Sequence, residues 1–320
     1  MAVSESDFDF NAPDSSGLAN ERNELERISA EDLETLVLIR VFERTLLELF
    51  SSGELDGTTH TCMGQEFVPV AISSLLQESD FVFSNHRGHG HYLARYKDAA
   101  GLLAEIMGRD GAICGGVGGS QHIKRSNYLS TGIQGESVGV AVGVALSAKR
   151  RKTGGLALAY IGDGTWGQGL VYEALNLASL WRTPLALIVE NNGIAQTTPI
   201  ELNLAGSIEA RARAFDVNYV RAESGCSLAR IREVAAGALT ECRSKFRPVV
   251  VECFVDRLGP HSKGDDTRDE KTQSMIRDRD WFARCMDGMP ERFNPIVAKV
   301  EGEMETIVAD VRSRPPVGKK

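Results

Sequence analysis

What this chain lacks narrows its class first. No apolar stretch reaches the length of a membrane span; the longest are strand-sized. Basic residues are not in excess: 36 Lys and Arg stand against 44 Asp and Glu, a formal net charge of −8. That balance argues against a general nucleic-acid binder, whose contact face is basic. There is no CxxC pair. The six cysteines are scattered, so neither a zinc framework nor a disulfide framework is expected. They read as reduced, partly buried thiols, and the expected location is cytoplasmic. No basic region followed by an apolar run opens the chain, so no secretory signal is expected. No internal repeat is visible. Histidine is sparse, at six positions: His60, His86, His89, His91, His122 and His261.

What is present suits a soluble α/β protein. With 320 residues, 42% hydrophobic and 25% charged, the chain can build one large core. Residues 1–28 are expected to be a disordered or extended tail, acidic and polar at its start. Residues 29–270 alternate strand-like and helix-like segments, which predicts a doubly wound, mainly parallel sheet with helices on both faces in a single domain. Residues 271–320 are charged and helical, an expected C-terminal extension. Ser29 is placed to cap a first helix. A helix is expected over residues 65–76, and the run of histidines from His86 to His91 reads as a loop after a short strand. The segment Ser137 to Arg151 predicts a helix of small residues, smooth enough to pack closely on a partner.

The centre of the chain carries the chemistry. An apolar run ends in Gly162-Asp163-Gly164-Thr165, a helix follows, and a second apolar run ends in Glu190-Asn191-Asn192. Asp163 and Asn192 therefore sit at the carboxyl ends of two consecutive parallel strands, the edge where open α/β sheets bind ligands. Each offers a hard oxygen. With the Ile194 carbonyl they suit Mg²⁺, which keeps few protein ligands and completes its shell with water and phosphate oxygens. The glycines let backbone N–H groups approach a phosphate. The plainer alternative is a tight strand-to-helix turn with Asp163 as N-cap.

The longer pattern, this GDG turn followed by Glu173-Ala174-Leu175-Asn176 and then Asn191-Asn192, resembles the cofactor motif of thiamine diphosphate enzymes. The chain from about Leu33 to Arg279 resembles the α subunit of the E1 component of 2-oxo acid dehydrogenase complexes, of the pyruvate, branched-chain and acetoin type. The segments carrying the resemblance include His60 to Glu66, His86 to Gly90, Gly118 to His122, Ala178 to Trp181, and His261-Ser262.

The resemblance implies thiamine diphosphate anchored through Mg²⁺ on Asp163, Asn192 and Ile194. Gly162, Gly164 and Thr165 would meet the diphosphate, as would Arg87, whose guanidinium is bidentate. His60, His89 and His261 are the implied catalytic histidines, with His261 also touching the diphosphate. Gly132 and Gln134 lie in the stretch that meets the aminopyrimidine ring. Four positions depart from the family: His86 stands where Tyr is usual, Val117 where Arg is usual, Gln121 where Met is usual, and Gln134 where a large apolar side chain is frequent. A zinc site at His86, His89 and His91 is the local alternative reading of that run.

The implied reaction decarboxylates a small-molecule 2-oxo acid and transfers the acyl group to a lipoyl group on an E2 protein. The activating Glu is implied to come from a β subunit, in an α2β2 assembly, since nothing in the chain reads as a second, pyrimidine-binding domain. Two other readings share the anchor or the fold: a carboligase or transketolase-like half enzyme with a different acceptor, and a non-catalytic subunit.

Overall fold

The apolar runs form strands because β-branched and small apolar residues suit a surface buried on both sides. In the computed structural model, residues 24–318 are described, apart from 56, 224–226, 263 and 265. Over residues 1–23 the expected tail lies outside the described residues. The strands are β1 (Phe81–Ser84), β2 (Lys124–Arg125), β3 (Tyr128–Ser130), β4 (Ala157–Gly162), β5 (Leu185–Asn191), β6 (Ile194–Ala195), β7 (Thr198–Pro199), β8 (Asn218–Ala222) and β9 (Val249–Phe254). Seven of them make one sheet in the order β2–β3–β1–β4–β5–β9–β8. All neighbours are parallel except the antiparallel pair β2–β3. β6 and β7 form a separate small ribbon.

Alternation along each strand feeds two cores. Val82, Leu158, Ile188 and Val251 face one layer, with the helices Ala30–Ser51, Leu228–Lys245 and Pro290–Ser313. Phe83, Ala157, Leu187 and Val250 face the other, with Glu136–Arg151 and Gly169–Leu180. The sheet is therefore wound on both faces, as expected. Ser29 caps the first helix, its hydroxyl accepting from the Asp32 amide at 3.1 Å. The last helix packs along that first helix, and Val297 and Val300 share its core with Leu33 and Leu36.

The strand order also locates the ligand edge. After β1 the next strand to join it, β3, lies on one side; after β4 the chain moves to β5 on the other. The connections diverge between β1 and β4, the switch point at which such sheets open a crevice at their carboxyl ends. Asn85, His86 and Arg87 follow β1, and Asp163 follows β4.

Three local expectations need correction. The histidine run is not all loop: His89–Tyr96 is a helix, driven by Tyr92 and Leu93, which bury on the same side as His89. The helix expected over residues 65–76 is shorter, Phe67–Ser73, and ends in a tight turn in which Leu75 N donates to Ile72 O at 2.9 Å. Asp163 is not the N-cap of the following α-helix. A 3₁₀ turn, Asp163–Gly167, intervenes, and the α-helix starts at Gly169 after an extended Gln168. The small-residue helix Glu136–Arg151 buries Val138, Ala141, Val142 and Ala145, while Val140 faces outward.

One charged network ties three distant segments together. Arg40 on the first helix donates from Nε to Glu66 at 2.6 Å and from both Nη atoms to Asp280, at 2.8 and 2.9 Å. The second oxygen of Glu66 accepts from the Gly64 amide at 2.8 Å and from Trp281 Nε1 at 3.0 Å. Arg40 and Glu66 are both buried. Removing one member leaves an uncompensated buried charge. Glu66→Ala is therefore expected to lower unfolding stability by about 3–5 kcal/mol, read as the free energy from a urea titration. A loss below 1 kcal/mol would show the network to be dispensable.

Candidate active site

Three loops deliver histidines to one place. His60 arrives on the segment before Gly64, His86 on the loop after β1, and His261 on the loop after β9. Their ring centroids are 4.8 Å (His60–His86), 4.7 Å (His60–His261) and 5.4 Å (His86–His261) apart. One nitrogen from each lies within 4.8 Å of the others.

Backbone contacts hold these loops in register. Leu258 N donates to Met63 O at 3.1 Å. Gly64 has φ +93, and a Cβ there would lie 2.5 Å from the Asp256 carbonyl oxygen, so only glycine fits this approach. Arg87 spans the same gap. Its Nη1 donates to the Thr61 carbonyl at 2.6 Å; its Nη2 donates to the His261 carbonyl and Nδ1, each at 3.1 Å. Arg87 is buried, and among the described residues it forms no salt bridge with a carboxylate. Burial, reinforced by the Arg257 charge, brings its guanidinium down to about 10. A cation so placed attracts an anion. His86 is pushed well below its usual range, by burial first and then by Arg87, so it is neutral at physiological pH.

The GDG turn lies beside this pocket. Thr165 Oγ1 donates to Gln134 Oε1 at 3.3 Å, and Gln134 Nε2 donates to His86 Nδ1 at 2.8 Å and to the Gly132 carbonyl at 3.3 Å. Gly132 lies under Gln121, whose Oε1 would be 2.2 Å from a Cβ there. Gly162 ends β4 in an extended conformation, and Gly164 packs so closely that its Cβ would lie 2.4 Å from Ala195 Cβ. The Asn191-Asn192 pair shapes the facing turn. Asn191 Oδ1 accepts from Gly193 N at 2.9 Å and Asn192 Oδ1 from Ile194 N at 3.2 Å.

Asp163 is the outstanding group. It is 2% exposed, and its Oδ2 is one of three buried side-chain polar atoms without a hydrogen bond among the described residues. The others, on Gln65 and Trp166, are neutral; only Asp163 can carry charge. Burial lifts its carboxyl to about 6, against backbone N–H groups of Asp163, Gly164 and Asn192 that hold it down, with Glu252 adding repulsion. An orphaned carboxylate oxygen in such a field fits a hard cation.

The other histidines go elsewhere. His89 is buried with both nitrogens engaged, Nδ1 by Glu43 at 3.1 and 3.2 Å and Nε2 by the Ser120 carbonyl at 3.2 Å. Glu43 also receives Cys62 N and Sγ, each at 3.0 Å. His91 lies between Ser84 Oγ (2.7 Å) and Glu190 (3.2 Å) and stacks on Tyr160 with centroids 3.7 Å apart. The local zinc reading of His86, His89 and His91 is thus replaced: the three sit in separate environments, and His86 joins His60 and His261 instead. His122 is exposed.

Sequence reasoning passed over Arg257 and Glu252. Arg257 is buried and donates to the Gln196 carbonyl at 3.3 and 3.4 Å. Glu252, buried at the end of β9, accepts from Asn191 Nδ2 at 2.6 Å and from the Tyr219 hydroxyl at 2.5 Å. A charged residue inside the β-branched run 248–255 was the available signal for Glu252.

The raised Asp163 value gives a signed expectation. Its neutral form is favoured in the fold, so the stability it contributes is full below the ordinary carboxylate range and is lost as pH rises through about 6. In cation-free protein, Asp163→Asn is expected to stabilise the fold by about 1–3 kcal/mol at pH 8 and very little at pH 4. Melting curves at the two pH values check this; an equal effect at both would count against a buried, strained carboxylate.

The α subunit of an acetoin:2,6-dichlorophenolindophenol oxidoreductase from Bacillus subtilis (strain 168) is 36% identical over 245 residues, 74% of this chain and 73% of the relative. The α subunit of a pyruvate dehydrogenase E1 component from Rhizobium meliloti (strain 1021) is 32% identical over 285 residues, 86% of this chain and 82% of the relative. A second acetoin oxidoreductase α subunit, from Cupriavidus necator, is 35% identical over 231 residues, 71% and 69% of the two chains. The family model described as Dehydrogenase E1 component matches residues 34–289, and the chain belongs to that family.

Proposed function

We propose that this chain is the α subunit of a thiamine diphosphate-dependent E1 enzyme. With a β partner it decarboxylates a 2-oxo acid and passes the acyl group to a lipoyl acceptor on an E2 protein. The observation that carries the reading is Asp163 Oδ2, a buried carboxylate oxygen without a partner, beside a histidine and arginine pocket at the strand switch point. Asp163, Asn192 and the Ile194 carbonyl would hold Mg²⁺. Arg87, His86, His261 and the glycine turn from Gly162 to Thr165 would hold the diphosphate. Bound there, the cofactor supplies the electron sink that decarboxylation of a 2-oxo acid requires.

The chain's own residues bind and orient. The buried Arg87 and Arg257 guanidiniums draw in anionic oxygens, and the glycines give backbone N–H groups access to them. His60, with Nδ1 engaged by Gln121 at 3.1 Å, exchanges its proton at Nε2. His89 is held between Glu43 and Ser120, so its part is to position the wall of the channel. The activating carboxylate is assigned to the β subunit, in an α2β2 assembly. Cytoplasmic location belongs to the same proposal and rests on the scattered cysteines.

A second reading concerns the substrate. Two of the relatives are named for acetoin, a hydroxyketone, at 36% and 35% identity. Offering pyruvate and acetoin in parallel to the chain with its partner, with an artificial electron acceptor, separates the two.

Isothermal calorimetry on the chain with its β partner is expected to show thiamine diphosphate binding that requires Mg²⁺, and Asp163→Ala is expected to abolish it. Affinity unchanged in that variant would remove the cation assignment. The chain without its partner is expected to show no decarboxylation, and robust turnover by the chain alone would overturn the half-site reading.

A further inference from the structure

Three imidazole nitrogens within 4.8 Å, carried by three separate segments, look at first like a transition-metal site. What decides the matter is the nitrogen that carries the proton. A histidine that ligates a metal normally donates its other N–H to an acceptor. Here each ring turns its Nδ1 to a side-chain nitrogen instead. Gln121 Nε2 meets His60 Nδ1 at 3.1 Å, Gln134 Nε2 meets His86 Nδ1 at 2.8 Å, and Arg87 Nη2 meets His261 Nδ1 at 3.1 Å. Arginine has only donors to offer. For Gln134 the amide orientation has independent support: its Nε2 also reaches the Gly132 carbonyl, and its Oε1 receives the Thr165 hydroxyl, each at 3.3 Å.

We propose that Gln134 fixes His86 as the Nε2–H tautomer, so that the pocket of His60, His86 and His261 meets a diphosphate oxygen as a hydrogen-bond donor and rejects divalent transition metals. The proposal rests on the function argued above and assigns Gln134 as a positioning residue that acts through His86.

Three further observations agree. A neutral ring that accepts at Nδ1 must carry its proton at Nε2, and burial together with Arg87 presses His86 towards that neutral form. The buried guanidiniums of Arg87 and Arg257 repel a dication and attract an anion. The relay starts at Thr165, in the same turn as Asp163 and Gly164, which ties the ring to the phosphate side of the site. His86 and Gln134, far apart in the chain, are thus in direct contact.

The test measures binding of magnesium pyrophosphate, and separately of Zn²⁺ alone, by calorimetry on the full chain with its partner subunit. His86→Phe is expected to weaken pyrophosphate binding about tenfold, the loss of one hydrogen bond to a charged group. Gln134→Leu is expected to weaken it by about threefold and, like the wild type, not to bind Zn²⁺, since Gln121 and Arg87 still face His60 and His261. The double variant is expected to lose less pyrophosphate affinity than the two single losses multiplied, because Gln134 acts chiefly through that ring. Gln134→Met repeats the arm with a side chain of equal length, should leucine disturb the loop. Unchanged pyrophosphate affinity in His86→Phe, losses that multiply in the double variant, or tight Zn²⁺ binding by the wild type would each overturn the proposal. The zinc arm needs no cofactor, so its failure is distinct from failure of the cofactor assignment.

Discussion

The buried pair of Arg40 and Glu66 is the contact on which the rest of the site depends. One oxygen of Glu66 answers the first helix; the other holds the Gly64 amide and Trp281. A single carboxylate thereby connects the amino-terminal helix, the loop bearing His60, and the helices that follow the sheet. The Gly64 loop in turn meets the His261 loop through backbone, and Arg87 crosses between them. Burying this much charge is costly, and it is repaid by specificity of arrangement more than by stability. The arrangement obtained is a set of loops from distant parts of the chain held at hydrogen-bonding distance.

Two opposite electrostatic demands lie side by side at the sheet edge. On the β4–β5 side a buried carboxylate without a partner, with Glu252 behind it, calls for positive charge. On the β1 side two buried guanidiniums and neutral imidazoles call for negative charge. The proposed metal-bound diphosphate would satisfy both at once. Burial, with Glu252 adding repulsion, lifts the Asp163 carboxyl towards its neutral form.

Much of this was legible in the residues. The parallel β4–β5 unit follows from two unbroken apolar runs, and the glycines and asparagines at their ends mark the ligand edge. The switch point between β1 and β4 needed the strand order, which alternation alone does not give. The histidine run was misleading because a three-residue spacing suits a loop ligand set as well as a helix; only the burial of Tyr92 and Leu93 decides for the helix. The Asp163 N-cap alternative failed because a 3₁₀ turn, invisible to periodicity, separates Asp163 from the α-helix. The contact of Gln134 with His86, like the network around Glu66, joins residues far apart in the chain. No local pattern encodes such pairs, and their chemistry appears only when the fold brings them together.

Gly164 carries a consequence for how the site can change over time. Its missing side chain leaves room for Ala195, the neighbour of Ile194, at a spacing no Cβ would allow. The β6–β7 ribbon therefore rests directly on the turn that bears Asp163, with backbone serving as its spacer. The interval between two of the proposed cation ligands is thus set by an absence of atoms. The gauge of the proposed cation seat cannot be widened one methyl at a time. A side chain at residue 164 would have to push Ala195, and Ile194 with it, away from Asp163.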